Sequence, residues 1–133
     1  MRVQDAPTLD ETSLKQTGVM VHENREASTL CSDLILALGE VERVTDFEIG
    51  FPWAQANIDG SWVVDPFYDD QGIAVKVKGK GLFVLGECSH AGIINTVKHA
   101  QKASKTNKIH AILGGFHLTG PIFEPIIGKQ LVR

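Results

Sequence analysis

Three side chains of this sequence carry donor atoms that bind borderline metal ions, and each lies just after a short apolar run. Cys88 and His90 follow Leu82–Leu85, and His117 follows Ile109–Leu113 and two glycines. Such runs are typical of strands that are buried on both faces. Because α/β sheets commonly bind ligands beyond the C-terminal ends of their strands, we expect the three donors to meet there. Thiolate and imidazole ligands suit zinc or iron.

The spacing of these donors does not by itself distinguish a metal site from ordinary structure. A Cys-x-His pair with one distant histidine is not a specific zinc signature. Glycines after a strand serve tight turns without any function, and a single free cysteine commonly behaves as a small buried hydrophobe. On the residues alone, both interpretations stay open.

Longer motifs around these donors resemble a known family. The segment from Asp69-Asp70-Gln71 to Gly115-Phe116-His117-Leu118-Thr119-Gly120 is similar to the C-terminal half of a metallo-β-lactamase-fold hydrolase. It most resembles the branch named after a dihydropterin ribofuranosyl-aminobenzene phosphate synthase, which has an Asp-Asp-Gln strand start, a Gly-Cys-Ser-His turn and a Gly-Gly-Phe-His-Leu strand end. The segment 39–48 resembles the Gly-Glu-Ile-Pro-Arg segment of that branch. The resemblance runs from about residue 7 to residue 127, with the motifs in the family's order.

The resemblance implies a fold, an activity and a cofactor. The expected fold is α/β (α+β): a single domain over residues 1–133 that forms half of an αββα sandwich, with a mixed sheet and flanking helices. The implied activity is metal-dependent hydrolysis of a small ester or phosphoester-like molecule. The implied cofactor is a divalent metal, with zinc preferred and iron or manganese as alternatives, because a bound ion acts as a Lewis acid.

The resemblance also implies roles for individual residues. His90 ranks first as a metal ligand, His117 second and Cys88 third. Asp70 is expected to lie behind the ligands and to bond to a ligating histidine.

Two charged residues near these motifs have open interpretations. Arg43 pairs with a phosphate or carboxylate of the substrate, or it belongs to a surface ion pair. Glu87 replaces the glycine of the family's turn. It serves as an extra oxygen ligand, points away from the site, or marks a site that is no longer under functional demand.

One defining feature of the superfamily is missing from this sequence. The His-x-His-x-Asp-His motif, which supplies most of the metal ligands, does not occur. We therefore expect a truncated C-terminal half with an incomplete site. The alternative is a non-catalytic remnant or interaction domain. Either would complete its fold by self-association or by binding a separate N-terminal half.

Composition excludes several other classes of protein. The 133 residues are 43% hydrophobic and 22% charged, with a net charge of −3 and scattered lysines and arginines, so no basic face for nucleic acid is expected. No apolar run approaches the roughly 20 residues of a membrane span. The N-terminus has no apolar signal core, which predicts a cytoplasmic location. Cys31 and Cys88 are too few for a disulfide framework.

Local patterns predict the helices and strands. Asp10 or Thr8 caps a short helix that Gly18 stops, and the region 50–60 is a loop in which Phe51 and Trp53 cover a pocket or pin the loop to the body. The other predicted elements are strands at Val19–His22, Leu34–Leu38, Trp62–Val64, Ile73–Lys78, Leu82–Leu85 and Ile109–Leu113, and helices at Gly92–Ser104 and from Pro121 to Ile127. For Leu34–Leu38, the leucines and the alanine leave a helix as the alternative.

The helix after His90 receives a more detailed prediction. Ser89 is expected to cap it. Its buried stripe is expected to consist of four apolar side chains, namely Ile93, Ile94, Val97 and Ala100. His99 falls off that stripe, so it is predicted to be an exposed surface histidine.

Overall fold

The computed structural model describes residues 10–117, and every element below lies in that range. The elements are α1 (Glu11–Gln16), β1 (Ser28–Leu30), β2 (Ile35–Ala37), β3 (Gln55–Ile58), β4 (Ser61–Val64), β5 (Gly72–Val77), β6 (Gly81–Gly86), α2 (Ile93–Ser104) and β7 (Ile109–Leu113). The helix predicted from Pro121 to Ile127 lies outside the described residues. Among the helices of residues 10–117, none is long and apolar enough to cross a membrane.

Five strands form one mixed sheet, and two form a separate hairpin. The order in the main sheet is β1-β2-β5-β6-β7, and β3 pairs only with β4. Pairing is antiparallel from β1 to β6, whereas β6 and β7 are parallel. A parallel pair needs a crossover connection, and α2 provides it between β6 and β7. The mixed sheet with helices confirms the predicted α+β class. It also confirms that β6 and β7 end at the same edge.

One face of the main sheet is covered by α2. Ala74 and Val84, which are paired across β5 and β6, are 2% and 0% exposed and lie in one hydrophobic cluster with Ala100 of α2. Leu82 of β6 belongs to the same cluster. This cluster holds α2 in place above the two strands that end at the candidate site.

The opposite face, which we call the open face, is apolar but only partly buried. The strand register aligns its side chains in rows across the sheet. Its members are Ile35, Ala37, Ile73, Val75, Val77, Phe83, Leu85, Ala111 and Leu113. All of them are partly exposed except Leu113, which is fully in the exposed class at 58%. The prediction that β6 is buried on both faces is therefore correct for one face only.

The predicted apolar stripe of α2 is correct in part. Ala100 is buried, but the three larger side chains of the stripe are only partly buried, and the helix buries two polar side chains as well. Its buried residues are Asn95, Thr96 and Ala100. Nδ2 of Asn95 donates to the Ala91 carbonyl at 2.8 Å, and Oγ1 of Thr96 donates to the Gly92 carbonyl at 2.8 Å. A buried polar group is tolerated when it has such partners, so apolarity alone did not identify the inward face.

His99 was also predicted wrongly, since it lies on this inward side of α2. Its Nε2 is 3.0 Å from the Leu38 carbonyl oxygen. A carbonyl oxygen only accepts, so Nε2 donates this hydrogen bond. Its Nδ1 is buried without a hydrogen-bond partner within the described part of the chain.

The N-terminal elements agree with the predictions only in part. The Asp10 carboxylate caps α1 as expected, because it accepts from the backbone N–H groups of Thr12 and Ser13 at 3.0 and 3.3 Å. The strand predicted at Val19–His22 is absent, and these residues have no strand pairing in the main sheet.

The predicted loop 50–60 contains a strand that the sequence did signal. Asp59 and Gly60 have φ values of 52° and 82° and join β3 to β4 as a two-residue turn. An Asp-Gly pair with two positive φ angles is the favoured connection of a tight hairpin. The error lay in treating this pair as a general loop signal.

Candidate metal centre

Cys88, His90 and His117 come together at the edge of the sheet where β6 and β7 end. The Sγ atom and one ring nitrogen from each histidine all lie within 4.8 Å of one another. The two imidazole centroids are 5.3 Å apart, and all three side chains are half-buried. Within residues 10–117, this is the one group of three or more such donors that is close enough to hold a metal ion.

The donor set fits a divalent metal of the zinc type. Zinc takes thiolate and imidazole ligands in tetrahedral geometry, and a catalytic zinc site has three protein ligands and one open position. Three converging donors match that count. Glu87, the candidate extra ligand, is exposed and does not belong to the cluster.

The turn that carries Cys88 and His90 is tight and strained. Ser89 has a φ of 53° and is 7% exposed, and its hydroxyl has no hydrogen-bond partner in residues 10–117. A left-handed conformation costs a non-glycine residue about 1–2 kcal/mol, so neighbouring contacts must maintain it. Ser89 is not the predicted cap of α2, since the N-cap is Gly92 and it makes no side-chain cap bond.

A distant carboxylate caps α2 instead. The Glu48 oxygens accept from the backbone N–H groups of Ile94 and Asn95, both at 2.8 Å. A negative charge at a helix N-terminus is stabilised by unpaired N–H groups and the helix dipole. Gly92 is required here, because a Cβ at this position would lie 2.2 Å from the Glu48 carboxyl carbon.

Asn95 connects the segment that contains Glu48 to the turn before α2. The sequence did not predict this role. Asn95 is 0% exposed, and its Oδ1 accepts from the backbone N–H groups of Val44 and Thr45 at 2.8 and 2.9 Å. Thr45 in turn donates its hydroxyl to Glu48 at 3.1 Å. A Thr-x-x-Glu pattern predicts a helix start, but here it caps a helix elsewhere in the chain.

Asp70 and Arg43 hold the backbone of the His90 turn. The N–H of Ala91 donates to Oδ2 of Asp70 at 3.1 Å, and Asp70 is 8% exposed. Asp70 was expected to bond to a ligating imidazole, but this contact is to the backbone beside His90. The Arg43 guanidinium donates to the His90 carbonyl at 3.2 Å.

Aromatic side chains form one side of the centre. The Phe51 ring lies edge-on to both imidazoles, with centroids 5.2 Å from His90 and 5.5 Å from His117. Phe67 is 4.5 Å from His90, and Trp53 is 5.4 Å from Phe51. Both interpretations of the aromatic loop agree with these contacts, because a ring that covers the imidazoles also pins the loop to the body. Phe67 has a φ of 51°, an unusual value for a bulky residue.

The second strand end is shaped by glycine. A Cβ at Gly114 would lie 2.2 Å from the Gly86 carbonyl oxygen and 2.9 Å from the Phe116 ring. The N–H of Gly115 donates to the Glu87 carbonyl at 2.7 Å. The backbone before His117 therefore packs directly against the backbone before His90.

Two proteins of known sequence are similar to parts of this chain. No protein-family model matches the chain. The chain is 42% identical over 69 residues to 7,8-dihydropterin-6-methyl-4-(β-D-ribofuranosyl)-aminobenzene-5'-phosphate synthase from Methanocaldococcus jannaschii, covering 52% of this chain and 23% of that protein. It is 35% identical over 112 residues to an uncharacterized protein of the same organism, covering 84% of this chain and 39% of that protein.

A solved structure provides the comparison of folds. A metal-dependent hydrolase of the β-lactamase superfamily matches with a TM-score of 0.56 at 24% identity, over 77% of this chain and 37% of that chain. The matched region has the fold of this hydrolase, which confirms the predicted resemblance at the level of the fold. This chain spans less than two fifths of the length of each of these three proteins.

Proposed function

We propose that this chain carries one edge of a metal-dependent hydrolase site, in which His90, His117 and Cys88 hold a divalent ion. The convergence of their donor atoms within 4.8 Å is the observation that carries the proposal. Likeness to a synthase and to a metal-dependent hydrolase supports an enzymatic role. The proposed metal is zinc, with iron or manganese as alternatives, and the proposed substrate is a small ester or phosphoester-like molecule.

The residues of this chain would bind the ion, orient its ligands and limit access of water. When bound, a divalent ion supplies Lewis-acid chemistry that polarises the bond to be hydrolysed. Phe51 and Phe67 cover one side of the imidazoles and exclude water from that side. Asp70 holds the backbone of the His90 turn through the Ala91 N–H, and so helps to fix where the ring is attached.

The absence of His-x-His-x-Asp-His from the sequence sets the expected strength of this site. Three half-buried ligands leave one position of the ion open, so we expect weaker binding than in a closed set of four ligands. We expect the chain, purified without added zinc and dialysed, to retain well under one ion. Titration with Co²⁺ should then show a single weak site. Two dialysis-resistant ions per chain would contradict the proposed incomplete centre.

Activity gives a second test of the same proposal. The chain alone should not hydrolyse generic phosphoester or lactam substrates, because its site lacks the ligands of a complete centre. If turnover is observed, His90→Ala and His117→Ala should each abolish it, while His110→Ala, an exposed histidine of β7, should not. Activity retained in both site variants would place the active site elsewhere.

The open face supports a second candidate function, a non-catalytic domain that needs a partner. Covering about 400 Å² of apolar surface is worth about 10 kcal/mol at about 25 cal/mol per Å², which is comparable to the stability of a whole domain. We expect the chain to self-associate or to bind a separate N-terminal half through this face.

Sedimentation at micromolar concentration tests the second candidate. Phe83→Lys, on the open face, should reduce self-association. Trp62→Lys is the matched control, since this side chain is 58% exposed on the separate hairpin. A monodisperse wild-type monomer that unfolds cooperatively would contradict the partner requirement.

A further inference from the structure

One guanidinium joins three segments of the backbone beside the candidate metal centre. Nη2 of Arg43 donates to the carbonyls of Pro66 and His90 at 3.3 and 3.2 Å, and Nη1 donates to the carbonyl of Glu48 at 3.4 Å. The three acceptors are 5, 23 and 47 residues from Arg43 along the chain. Both N–H groups of Nη2 therefore have acceptors.

Each bonded segment also places a ring at the centre. His90 contributes its own imidazole, and Pro66 precedes Phe67, whose ring lies 4.5 Å from that imidazole. Glu48 lies three residues before Phe51, whose ring is 5.2 Å from His90. These contacts connect the carbonyls that Arg43 binds to the rings that surround the ligand.

The backbone around Arg43 is adapted to this arrangement. A Cβ at Gly50 would lie 3.0 Å from Nη1, so the glycine leaves room for the guanidinium. Phe67 and Ser89 both have positive φ values, 51° and 53°. Strained conformations of this kind persist only where surrounding contacts maintain them. The Arg43 contacts reach the carbonyls next to both of these residues.

We propose that Arg43 is a positioning residue, which fixes the His90 imidazole and the Phe51–Phe67 wall by binding the three carbonyls together. The proposal rests on the proposed metal centre, but it gives Arg43 a role other than binding a substrate anion. A planar guanidinium with several fixed donors can serve diverging acceptors, whereas the lysine ammonium is a compact point charge on a flexible stem. Arg43→Lys should therefore fail to replace it.

The experiment compares Co²⁺ binding by the full chain and its variants. Binding is followed by the cobalt–thiolate absorption of Cys88, and unfolding in urea is measured in parallel. Arg43→Lys and Arg43→Ala should each weaken binding by about 10–100-fold, the range typical of residues that orient metal ligands. Millimolar guanidinium should restore much of the affinity of Arg43→Ala, and equal ammonium should not.

Two control variants separate positioning from general effects on charge and stability. Arg25→Lys changes an arginine whose guanidinium lies 5.8 Å from the Tyr68 ring and outside the centre, so its affinity should stay at the wild-type value. Val84→Ala removes core volume under α2. It should retain affinity after correction for the unfolded fraction.

Failure of this proposal can be distinguished from failure of the metal centre. If the wild type binds Co²⁺ and the Arg43 variants bind it equally well, the positioning role is wrong. The positioning role is also wrong if Val84→Ala, when it loses as much stability as the Arg43 variants, loses as much Co²⁺ affinity as they do. If the wild type binds no Co²⁺, the proposed metal centre is wrong. The ring resonances of His90 in the metal-free chain then decide, because Arg43→Lys must shift them while those of His110 stay unchanged.

Discussion

The two strand ends that meet at the candidate centre are held in different ways. The end of β6 continues into the turn that carries Cys88 and His90, and side chains outside the turn support it and the start of α2 that follows it. These supports are Arg43, Glu48, Asp70 and Asn95. The end of β7 continues through Gly114 and Gly115 to His117, and the described contacts of these glycines are with the β6 end itself.

This difference shows that the turn before His90 depends on side chains from other segments, whereas the glycines before His117 pack directly against the end of β6. His90 follows a buried residue in a left-handed conformation, so its position requires partners from residues 43–48 and 70. The approach to His117 requires that no side chain separates the two strand ends, and the His117 ring itself contacts Phe51. Mutations far from the centre should therefore affect the β6 end, while mutations at glycine should affect the β7 end.

Removal of a donor tests whether both ends contribute to one centre, and it should have the largest effect. We expect His90→Ala and His117→Ala each to weaken Co²⁺ binding by more than about 100-fold, beyond the effect typical of residues behind the ligands. Absorption titration measures this. His110→Ala is the control. Unchanged affinity in either site variant would remove that strand end from the centre.

Gly114→Ala tests the close packing of the β7 end. Its Cβ would meet the Gly86 carbonyl oxygen at 2.2 Å, so we expect the free energy of unfolding to fall by about 3 kcal/mol. Gly79→Ala is the matched control, because Gly79 has a φ of 72° but nothing within 4 Å of its Cβ position. Its cost should be about 1 kcal/mol. Equal losses in urea denaturation would show that conformation matters at Gly114 and crowding does not.

Glu48→Gln tests the distant support of the β6 end. Glutamine has one side-chain oxygen and no charge, so it cannot match a carboxylate that accepts from the N–H groups of both Ile94 and Asn95. The free energy of unfolding should fall by about 1 kcal/mol. Glu87→Gln, at an exposed position, should change it by less than about 0.5 kcal/mol. The reverse order of effects would contradict the assigned cap.

Ser89→Gly tests the strain in the turn. Glycine adopts the left-handed conformation without strain, which should stabilise the fold. The greater freedom of glycine in the unfolded chain offsets part of this gain, so the free energy of unfolding should rise by about 0.5 kcal/mol. The same variant should bind Co²⁺ more weakly, because the turn no longer holds Cys88 and His90 as rigidly. A loss of stability would indicate that the Ser89 side chain makes a favourable contact.

The smallest effect concerns the Glu42–Lys102 ion pair, which connects α2 to the segment that carries Arg43 and Glu48. The Lys102 ammonium, through its hydrogen bond at 2.6 Å, lowers the pKa of Glu42 below its usual value of 4.5. The pair therefore stabilises the fold above pH 4.5, and this contribution disappears as the pH falls through the lowered pKa. The stability difference between wild type and Lys102→Met should shrink over that range. A difference that is constant with pH would show that the pair contributes nothing.

Much of the candidate site could be predicted from the order of residues along the chain. The apolar runs before Cys88 and His117 predicted two strands whose C-terminal ends bring the donors together. Both strands exist, and the donor atoms converge as expected at their C-terminal ends. The α2 boundaries at Ile93–Ser104 also agree closely with the predicted helix.

The orientation of α2 could not be predicted in the same way. Periodicity assigns the inward face to apolar side chains, but Asn95 is fully buried because Val44, Thr45 and Ala91 satisfy its amide. Those partners come from a segment about 50 residues away and from the preceding turn. No local pattern contains that information.

The sequence by itself determined which atoms can bind a metal and which strand ends deliver them, because these depend on residue type and on short-range alternation. Only the tertiary structure decided what holds those ends in place. Glu48 caps a helix that begins 45 residues later, and Arg43 reaches a carbonyl 47 residues away. Such contacts depend on how separate segments pack, and packing is a property of the whole chain in three dimensions.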